Sequence, residues 1–220
     1  MKQLLQSLSN GKTLLKEVPK PKNKNGNILI ETRKTLISSG TERMLVKFGK
    51  SNSLMKAKQQ PEKVRQVVEK VKTDGLFNTY DAVKSKLDQP IPLGYCNVGK
   101  AVDAAVDFDT HGIKRNDRVV SNGYHAEYVS VPANLCAVIP KNVSDECAAF
   151  TVLGAIGLQG VRLADPKIGE NVAVFGMGLI GLLTVQILRA QGCRVLAIDI
   201  NNDTQKINQL LGETVILLVL

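Results

Sequence analysis

Residues 170–200 read ENVAVFGMGLIGLLTVQILRAQGCRVLAIDI and contain, in order, the signals of a strand, a tight turn, a helix and a second strand. The run at 172–175 has the short, apolar character of a buried strand. An apolar helix is predicted to extend to about residue 190, and a second strand is predicted over residues 194–198. The stretch therefore predicts a strand–helix–strand unit of a parallel sheet.

The predicted turn carries three glycines in the run Gly176-Met-Gly178-Leu-Ile-Gly181. In this pattern the first glycine permits the tight turn, the second lets the backbone approach a pyrophosphate, and the third lets the helix pack close to the strand. The exposed N–H groups at the start of the helix attract the diphosphate. The pattern predicts a dinucleotide-binding turn, and a glycine-rich turn without a ligand is the alternative.

Asp199 closes the second predicted strand, 18 residues after Gly181. A carboxylate in this place accepts hydrogen bonds from the ribose hydroxyls of the cofactor. It favours NAD over NADP because it repels a 2′-phosphate, although a nearby arginine can reverse that preference and Arg194 lies at the other end of the strand. The candidate cofactor-binding residues are Gly176, Met177, Gly178, Leu179, Ile180, Gly181, Asp199 and Ile200.

The chain before this unit changes character along its length. Residues 1–40 are predicted to be β structure with a strand at 27–39, residues 42–88 are predicted to be helical, and residues 98–140 return to short β runs. From residue 144 the pattern is αβ, beginning with a helical stretch. A third strand is expected near the end of the sequence, after a helix at 204–211.

The helical segment is interpreted as packing elements with lysines on the outside. Pro61 suits the first turn of a helix and Gly75 suits its end. Four valines between them recur at i, i+3, i+4 and i+7 and predict one apolar stripe: Val64, Val67, Val68 and Val71. A second helix is predicted to place three apolar residues on one face: Tyr80, Val83 and Leu87.

The net charge of +9 is uneven, with +11 over residues 1–90 and −2 over residues 91–220. A solvated lysine-rich surface is the simplest interpretation, and a positive field around a site for anionic ligands is another. Nucleic-acid binding is disfavoured because the basic half has few aromatic residues and no nucleic-acid-binding motif.

Four cysteines occur without any Cys-x-x-Cys spacing, which excludes the usual zinc-finger and zinc-ribbon patterns. We expect reduced, mostly buried thiols. The sequence has no apolar run long enough to span a bilayer, and its first residues lack the pattern of a secretory signal. A cytoplasmic protein without a membrane partner is the expectation.

Several short motifs of the β-rich part occur in a characteristic order. They are Ser39-Gly40-Thr41-Glu42, Leu93-Gly94-Tyr95-Cys96-Asn97-Val98-Gly99, Asn116-Asp117-Arg118-Val119, Ala126-Glu127-Tyr128-Val129 and Val138-Ile139-Pro140. Followed by the glycine-rich turn, this order resembles the medium-chain dehydrogenase/reductase family, the alcohol-dehydrogenase-like enzymes. The resemblance implies an α/β chain with a β-rich, GroES-like catalytic domain at 1–143, interrupted by the helical insertion 42–88, and a partial Rossmann domain at 144–220.

The sequence departs from the family where zinc members bind their catalytic metal through a cysteine, a histidine and a later cysteine or glutamate. By this resemblance, the residues at the corresponding positions are Ser39, Tyr95 and Thr151, and none of them is a good Zn²⁺ ligand. The four-cysteine structural zinc lobe is also missing from the sequence. We therefore expect no zinc.

The combination of SSGTER (38–43), LDQPIPLGY (87–95) and GYHAEYV (123–129) resembles a zinc-free subgroup of the family. In that subgroup the module is fused to a glucose–fructose-oxidoreductase-like domain and is found in sugar pathways. The resemblance implies a small-molecule substrate related to sugars, and candidate partners are a fused or separate oxidoreductase domain and a second copy of the chain. Because the second half of a Rossmann domain is missing from the sequence, we expect a fragment of a longer enzyme.

Three residues are catalytic candidates. Thr41 matches the family's hydroxyl that relays the substrate proton, with a plain turn threonine as the alternative. Tyr95 would replace the zinc as a hydrogen-bond donor to a carbonyl, or else line the core or a pocket wall. His125 would act as an acid or base near the nicotinamide, or else be structural. Cys96 has no evident base partner and is interpreted as an inert buried thiol.

The sequence thus predicts a zinc-independent, NAD(H)-dependent oxidoreductase that transfers hydride between the nicotinamide and an alcohol or carbonyl carbon. Whether the 220 residues are active by themselves stays open. The alternative is a non-catalytic nucleotide-binding or interaction module with a basic helical surface.

Overall fold

The computed structural model describes residues 1–104, 112–200 and 215–219, the last of these by backbone alone. It divides into two compact units, Met1–Asp145 and Glu146–Leu220. No described helix is both long enough and apolar enough to cross a membrane.

The first unit is built on antiparallel strands. They are β1 (Lys2–Gln6), β2 (Thr13–Glu17), β3 (Asn27–Thr35), β4 (Ile91–Pro92), β5 (Asn97–Ala104), β6 (Arg118–Ser121), β7 (Tyr128–Pro132) and β8 (Cys136–Val138). One sheet has the order β7-β3-β5-β6-β8, and a smaller sheet has the order β2-β1-β4. The β runs predicted from the sequence are therefore confirmed, except that the strand predicted over residues 27–39 ends at Thr35.

The core of the first unit lies against β3. This strand pairs with β5 on one side and with β7 on the other, so Ile28 and Ile30 are fully buried among side chains from the neighbouring strands. Val119 of β6 and Val129 of β7 complete the same apolar cluster. Burial of such side chains stabilises the unit by about 1.5–3 kcal/mol each.

Four helices separate β3 from β4: α1 (Thr41–Lys50), α2 (Ser53–Gln59), α3 (Pro61–Asp74) and α4 (Leu76–Asp88). Pro61 lies in the first turn of α3 and Gly75, with φ of +82°, follows its last residue, as predicted. The valine stripe of α3 is only partly used, because Val67 and Val71 are half-buried whereas Val68 is 51% exposed.

The predicted inner face of α4 is wrong by one position. Tyr80 is 66% exposed, and Thr79 is buried in its place. Thr79, Val83 and Leu87 recur at i, i+4 and i+8, which is a single helix face, whereas Tyr80 lies about 100° around the helix from Thr79.

Asp145 closes the first unit and is held by two arginines. Its Oδ1 accepts from Nε and Nη2 of Arg118 at 2.9 and 2.6 Å, and its Oδ2 lies 3.3 Å from Nη1 of Arg33. Arg118 Nη2 also donates to the carbonyl of Val143 at 2.7 Å. The end of the first unit is therefore anchored to β6 by charge-assisted hydrogen bonds.

The helical stretch predicted from residue 144 is two helices rather than one. They are α5 (Asp145–Ala148) and α6 (Thr151–Ala164). The N–H of Phe150 donates to the carbonyl of Cys147, which is a tight turn that ends α5, and the carbonyl of Phe150 then accepts from Gly154 at the start of α6. A local change from i→i+3 to i→i+4 bonding is not visible in an apolar pattern.

The second unit contains a parallel sheet in the order β11-β10-β9. Its elements are β9 (Asn171–Phe175), α7 (Leu179–Ala190), β10 (Arg194–Asp199) and β11 (Val215–Val219). Val185 and Leu188 of α7 pack on Val195 and Ala197 of β10 to form the core. The predicted strand–helix–strand unit and the third strand are confirmed, and the predicted helix at 204–211 lies outside the described residues.

Candidate functional site

The glycine-rich turn lies between β9 and α7, as its pattern predicts. Gly176 has φ of +89°, a conformation that glycine adopts without strain, and its N–H donates to Ile198 O at 2.7 Å. A side-chain carbon built at Gly181 would overlap the carbonyl oxygen of Gly176, so the start of α7 can approach β9 only with glycine there. The turn is thus a tight, glycine-dependent connection.

Open space remains at the middle glycine. A carbon built at Gly178 would meet nothing within 4 Å, and Gly178 precedes the first residue of α7. The N–H groups of the first helical turn have no partners within the helix, because those partners would lie before its start. The space and the N–H groups fit an anionic diphosphate.

Asp199 lies at the carboxyl end of β10, beside the turn. Its Oδ2 accepts from the N–H of Met177 at 2.5 Å, which holds the carboxylate against the turn. The Met177 side chain is buried, Leu179 is half-buried, and Ile180 and Ile200 are exposed. The structure therefore brings the candidate cofactor-binding residues into one region of the second unit, with open space at Gly178 and the Asp199 carboxylate beside it.

The first unit contains a cluster of three hydroxyl groups. The Tyr95 hydroxyl donates to Ser38 Oγ at 2.7 Å and lies 3.3 Å from Thr41 Oγ1. Ser38 lies in the connection from β3 to α1, Thr41 is the first residue of α1, and Tyr95 lies between β4 and β5. Ser38 is buried, Tyr95 is half-buried and Thr41 is exposed, so the hydroxyl cluster runs from the interior to the surface.

A buried carboxylate and imidazole lie next to the hydroxyl cluster. His125 Nε2 lies 2.9 Å from Glu42 Oε2, within hydrogen-bond distance, and the N–H of Ser38 donates to Glu42 Oε1 at 2.8 Å. Glu42 is 6% exposed and His125 is 9% exposed. Nδ1 of His125 is buried and has no hydrogen-bond partner within the described residues.

Gly94 makes room for the imidazole. A carbon built on Gly94 would lie 2.7 Å from Cγ and Nδ1 of His125, and Gly94 has φ of +92°. The backbone N–H of His125 donates to Leu93 O at 2.8 Å, and its carbonyl accepts from Leu4 N at 2.9 Å. The His125 ring is therefore fixed directly beside the residue that precedes Tyr95.

The structure brings two of the three catalytic candidates, Thr41 and Tyr95, into direct contact and joins His125 to them through Glu42 and Ser38. Ser39, the predicted counterpart of the first zinc ligand, is exposed, and Ser38 makes the contact with Tyr95 instead. The sequence motifs did not indicate that Ser38 contacts Tyr95 or that Glu42 contacts His125. A serine followed three residues later by a glutamate is the capping-box spacing, in which the glutamate accepts from the serine N–H. Ser39 and Glu42 have this spacing, but in the structure Glu42 accepts from the N–H of Ser38, one residue earlier.

The donors at the positions where zinc members hold their catalytic metal do not fit Zn²⁺. Ser39 and Tyr95 offer neutral hydroxyl groups, and Thr151, an exposed residue at the start of α6 in the other unit, offers a third. Zinc sites use thiolate, imidazole and carboxylate donors. Among the described residues, no group of three histidine, cysteine, aspartate or glutamate side chains is placed to hold a metal ion.

Of the four thiols, those of Cys96 and Cys193 are buried, that of Cys136 is half-buried and that of Cys147 is exposed. Cys96 is fully buried next to Tyr95. Burial raises the pKa of the Cys136 thiol on β8 to about 12, which disfavours its reactive thiolate form.

Comparison with known proteins gives relatives of one kind, although no family model matches the chain. It is 35% identical over 103 residues to an alcohol dehydrogenase from Moraxella sp. (strain TAE123), which covers 46% of the chain and 30% of that relative. It is 35% identical over 95 residues to (R,R)-butanediol dehydrogenase from Bacillus subtilis (strain 168), covering 43% and 28%. It is 27% identical over 219 residues to L-threonine 3-dehydrogenase from Alteromonas mediterranea, covering 97% and 62%.

Solved structures give the same picture for the fold. Galactitol-1-phosphate dehydrogenase from Escherichia coli superposes with a TM-score of 0.70 at 19% identity, over 99% of this chain and 61% of that one. Quinone oxidoreductase from Thermus thermophilus, solved also with NADPH, superposes with a TM-score of 0.66 at 20% identity, over 99% and 59%.

The chain is thus similar over part of its length to alcohol and butanediol dehydrogenases, and over nearly all of it to a threonine dehydrogenase. The predicted fold class is confirmed: an α/β chain with a GroES-like, β-rich unit followed by a partial Rossmann unit. The chain spans between 28% and 62% of the length of the three curated relatives described above.

Proposed function

We propose that this chain carries the cofactor turn and part of the substrate site of an NAD(H)-dependent, zinc-independent oxidoreductase. Its substrates are proposed to be alcohols or carbonyl compounds, with sugar-derived molecules as the first class to test. The observation that carries the proposal is the open glycine-rich turn with the Asp199 carboxylate bound to the N–H of Met177.

The chemistry of the turn supports NAD as the cofactor. Gly178 leaves space for a diphosphate at the start of α7, and Asp199 offers a carboxylate to the ribose hydroxyls. A carboxylate in this place repels the additional phosphate of NADP. When bound, the nicotinamide would exchange a hydride with the substrate carbon.

The hydroxyl cluster supports a site for the substrate oxygen. During alcohol oxidation the C–H hydride passes to the nicotinamide and the O–H proton must pass to a base or to water, which leaves negative charge developing on the substrate oxygen. Thr41 is exposed and its Oγ1 lies 3.3 Å from the Tyr95 hydroxyl, so the Thr41 hydroxyl is accessible to a substrate oxygen at the surface end of the cluster. Neutral donors of this kind stabilise a developing alkoxide, and removal of one such donor costs about 10²- to 10³-fold in rate.

Two measurements on the full 220-residue chain test the proposal. Titration calorimetry with NAD and with NADP should give the tighter binding for NAD, and Gly178→Ala should weaken both because its methyl group occupies the open space. Turnover with a panel of alcohols and sugars should then be unaffected by EDTA, with less than one zinc per chain by elemental analysis. One tightly bound zinc per chain whose removal abolishes turnover would refute zinc independence.

A second candidate function is a non-catalytic nucleotide-binding or interaction module. The exposed Val68 and Tyr80 on the lysine-rich helices favour this candidate, because apolar side chains on a basic surface suit a partner. Tight NAD binding without turnover on any substrate would support it. Turnover that is lost in Tyr95→Phe would exclude it.

A further inference from the structure

Glu42 is a buried carboxylate with both oxygens engaged. Oε1 accepts from the N–H of Ser38 at 2.8 Å, and Oε2 accepts from His125 Nε2 at 2.9 Å. Burying such a group is costly unless its hydrogen bonds compensate, so a carboxylate in this place calls for an explanation. A leucine or methionine would fill the same volume at lower cost.

From this placement we propose that Glu42 is a positioning residue that couples His125 to the hydroxyl cluster and sets the geometry of Tyr95. The role rests on the proposed function, because positioning matters for catalysis only if the hydroxyl cluster contacts the substrate. Glu42 itself acts through its neighbours and is not assigned a contact with the substrate.

The contacts form a closed path around the site. Glu42 holds the backbone of Ser38, whose Oγ accepts from Tyr95 at 2.7 Å. Glu42 also holds His125, whose ring lies against Gly94, the residue before Tyr95. Tyr95 is thus constrained through its hydroxyl and through its backbone, and both constraints lead back to one carboxylate.

The carboxylate also selects the protonation pattern of the imidazole. A carboxylate oxygen only accepts hydrogen bonds, so His125 must carry a proton on Nε2. In a neutral ring Nδ1 then carries a lone pair. A buried lone pair without a partner costs less free energy than a buried N–H without an acceptor, and Nδ1 has no hydrogen-bond partner among the described residues. The Nε2–H tautomer is the one that this pocket accommodates.

Glu42→Gln separates positioning from bulk. The amide keeps the size, and its oxygen can still accept from Ser38, but its NH₂ group then faces His125 Nε2. Two donors cannot pair, so the ring proton must move to Nδ1, where Gly94 offers no acceptor side chain, or the ring must turn away. A turned ring no longer packs against Gly94 beside Tyr95, and a proton on Nδ1 is buried without an acceptor among the described residues, so either response disturbs the support of Tyr95.

The experiment is NMR of the full chain with [4-¹³C]tyrosine and ¹⁵N-histidine labels. Tyr95→Phe and His125→Asn assign the signals. In Glu42→Gln we expect a changed Tyr95 Cζ shift and a His125 pattern without the Nε2–H tautomer, while Glu62→Gln, an exposed glutamate in the first turn of α3, changes neither. An unchanged Tyr95 signal in Glu42→Gln would overturn the coupling.

Kinetics give the second readout. A small displacement of the reacting groups in Glu42→Gln should lower kcat by about 10- to 100-fold with little change in KM. Glu42→Asp should recover part of this loss because it restores the acceptor. A chain without turnover would defeat the proposed function, and the NMR result would still decide the coupling.

Should Glu42→Gln fail to fold, the unmodified chain remains decisive. A wild-type His125 whose only proton lies on Nδ1 cannot donate to Glu42, and that result would refute the inference.

Discussion

The glycine-rich turn and the hydroxyl cluster are built in opposite ways. The turn uses consecutive residues from Gly176 to Gly181, and the distant side chain of Asp199 reaches it from the end of the adjacent strand β10. The hydroxyl cluster joins Ser38 and Thr41 to Tyr95, 57 and 54 positions away, and depends on Glu42 and His125 for support. A turn can therefore be specified by residue type alone, whereas the cluster requires the whole first unit to fold in register.

The largest expected effect on cofactor binding and on stability comes from filling the turn. Gly181→Ala places a methyl group on the Gly176 carbonyl, so α7 must move away from β9, at a cost of about 1–3 kcal/mol in the free energy of unfolding. We expect NAD binding to fall by more than about 100-fold, since the diphosphate loses the N–H groups that face it. Calorimetry and thermal melting measure both quantities.

Gly178→Ala is the matched control, because nothing lies within 4 Å of the added carbon. It should leave the melting temperature unchanged while weakening NAD binding. Equal melting temperatures and NAD affinities for Gly181→Ala and wild type would show that the turn does not depend on its glycine spacing.

The second effect concerns the hydroxyl cluster. Tyr95→Phe removes one hydroxyl group and keeps the ring, so kcat should fall by about 10²- to 10³-fold with little loss of stability. Thr41→Val should behave similarly, and the double variant should cost less than the product of the two losses because both residues act in one cluster. Steady-state kinetics on the full chain measures this, with the exposed Tyr80→Phe as the control.

If the losses in kcat for Tyr95→Phe and Thr41→Val multiply in the double variant, the two hydroxyl groups act separately. The contrast between a local turn and a cooperative hydroxyl cluster would then be wrong. A large drop in melting temperature for Tyr95→Phe would assign the Tyr95 hydroxyl a structural role instead.

A smaller effect is expected at Asp199, where the turn depends on one distant side chain. Asp199→Asn keeps an acceptor for the N–H of Met177 but loses the charge, so NAD affinity should fall by about 10-fold. Discrimination against NADP should shrink, because the repulsion of the 2′-phosphate is removed. Asp165→Asn, an exposed carboxylate of the same unit, is the control. An unchanged ratio of NAD to NADP affinity would assign cofactor choice to other residues.

Chemical labelling of Cys136 separates these effects from unfolding, because it reports whether the unit that holds the hydroxyl cluster stays folded. Its raised pKa of about 12 leaves little thiolate near neutral pH, so alkylation at pH 8 should be about 10³-fold slower than for an ordinary thiol and should accelerate with rising pH. Mass spectrometry of peptides compares it with the exposed Cys147. Rapid labelling of Cys136 in Tyr95→Phe or Glu42→Gln would reveal an opened first unit.

The sequence predicted what local geometry dictates. Gly176 and Gly181 mark a turn because other side chains are strained or blocked there, and Pro61 and Gly75 mark the limits of α3. Tyr80 was placed on the wrong face because apolar character alone does not show which of two neighbouring residues turns inward. Thr79, a polar residue, was buried instead.

The candidate site was predicted in part for the same reason. Thr41, Tyr95 and His125 stood out through their motifs, but no local pattern shows that Ser38 replaces Ser39 beside Tyr95. That choice depends on how the β3–α1 connection meets Glu42, which is a tertiary contact. The pairing of Glu42 with His125 joins residues 83 positions apart and leaves no periodic signal.

The contact between Ser38 and Tyr95 has a consequence for which parts of the sequence can change during evolution. Ser38 precedes α1 and Tyr95 follows β4, so the contact joins the two ends of the segment that contains the four helices. Helices α2, α3 and α4 carry no residue of the hydroxyl cluster. Lengthening a closed loop adds only a slowly growing entropic cost. We therefore expect changes in the length of residues 53–88 to leave the hydroxyl cluster in place, so that the segment can acquire new surfaces, provided that Lys56 keeps its contact with the carbonyl of Leu8 and Thr79 keeps its buried place in α4.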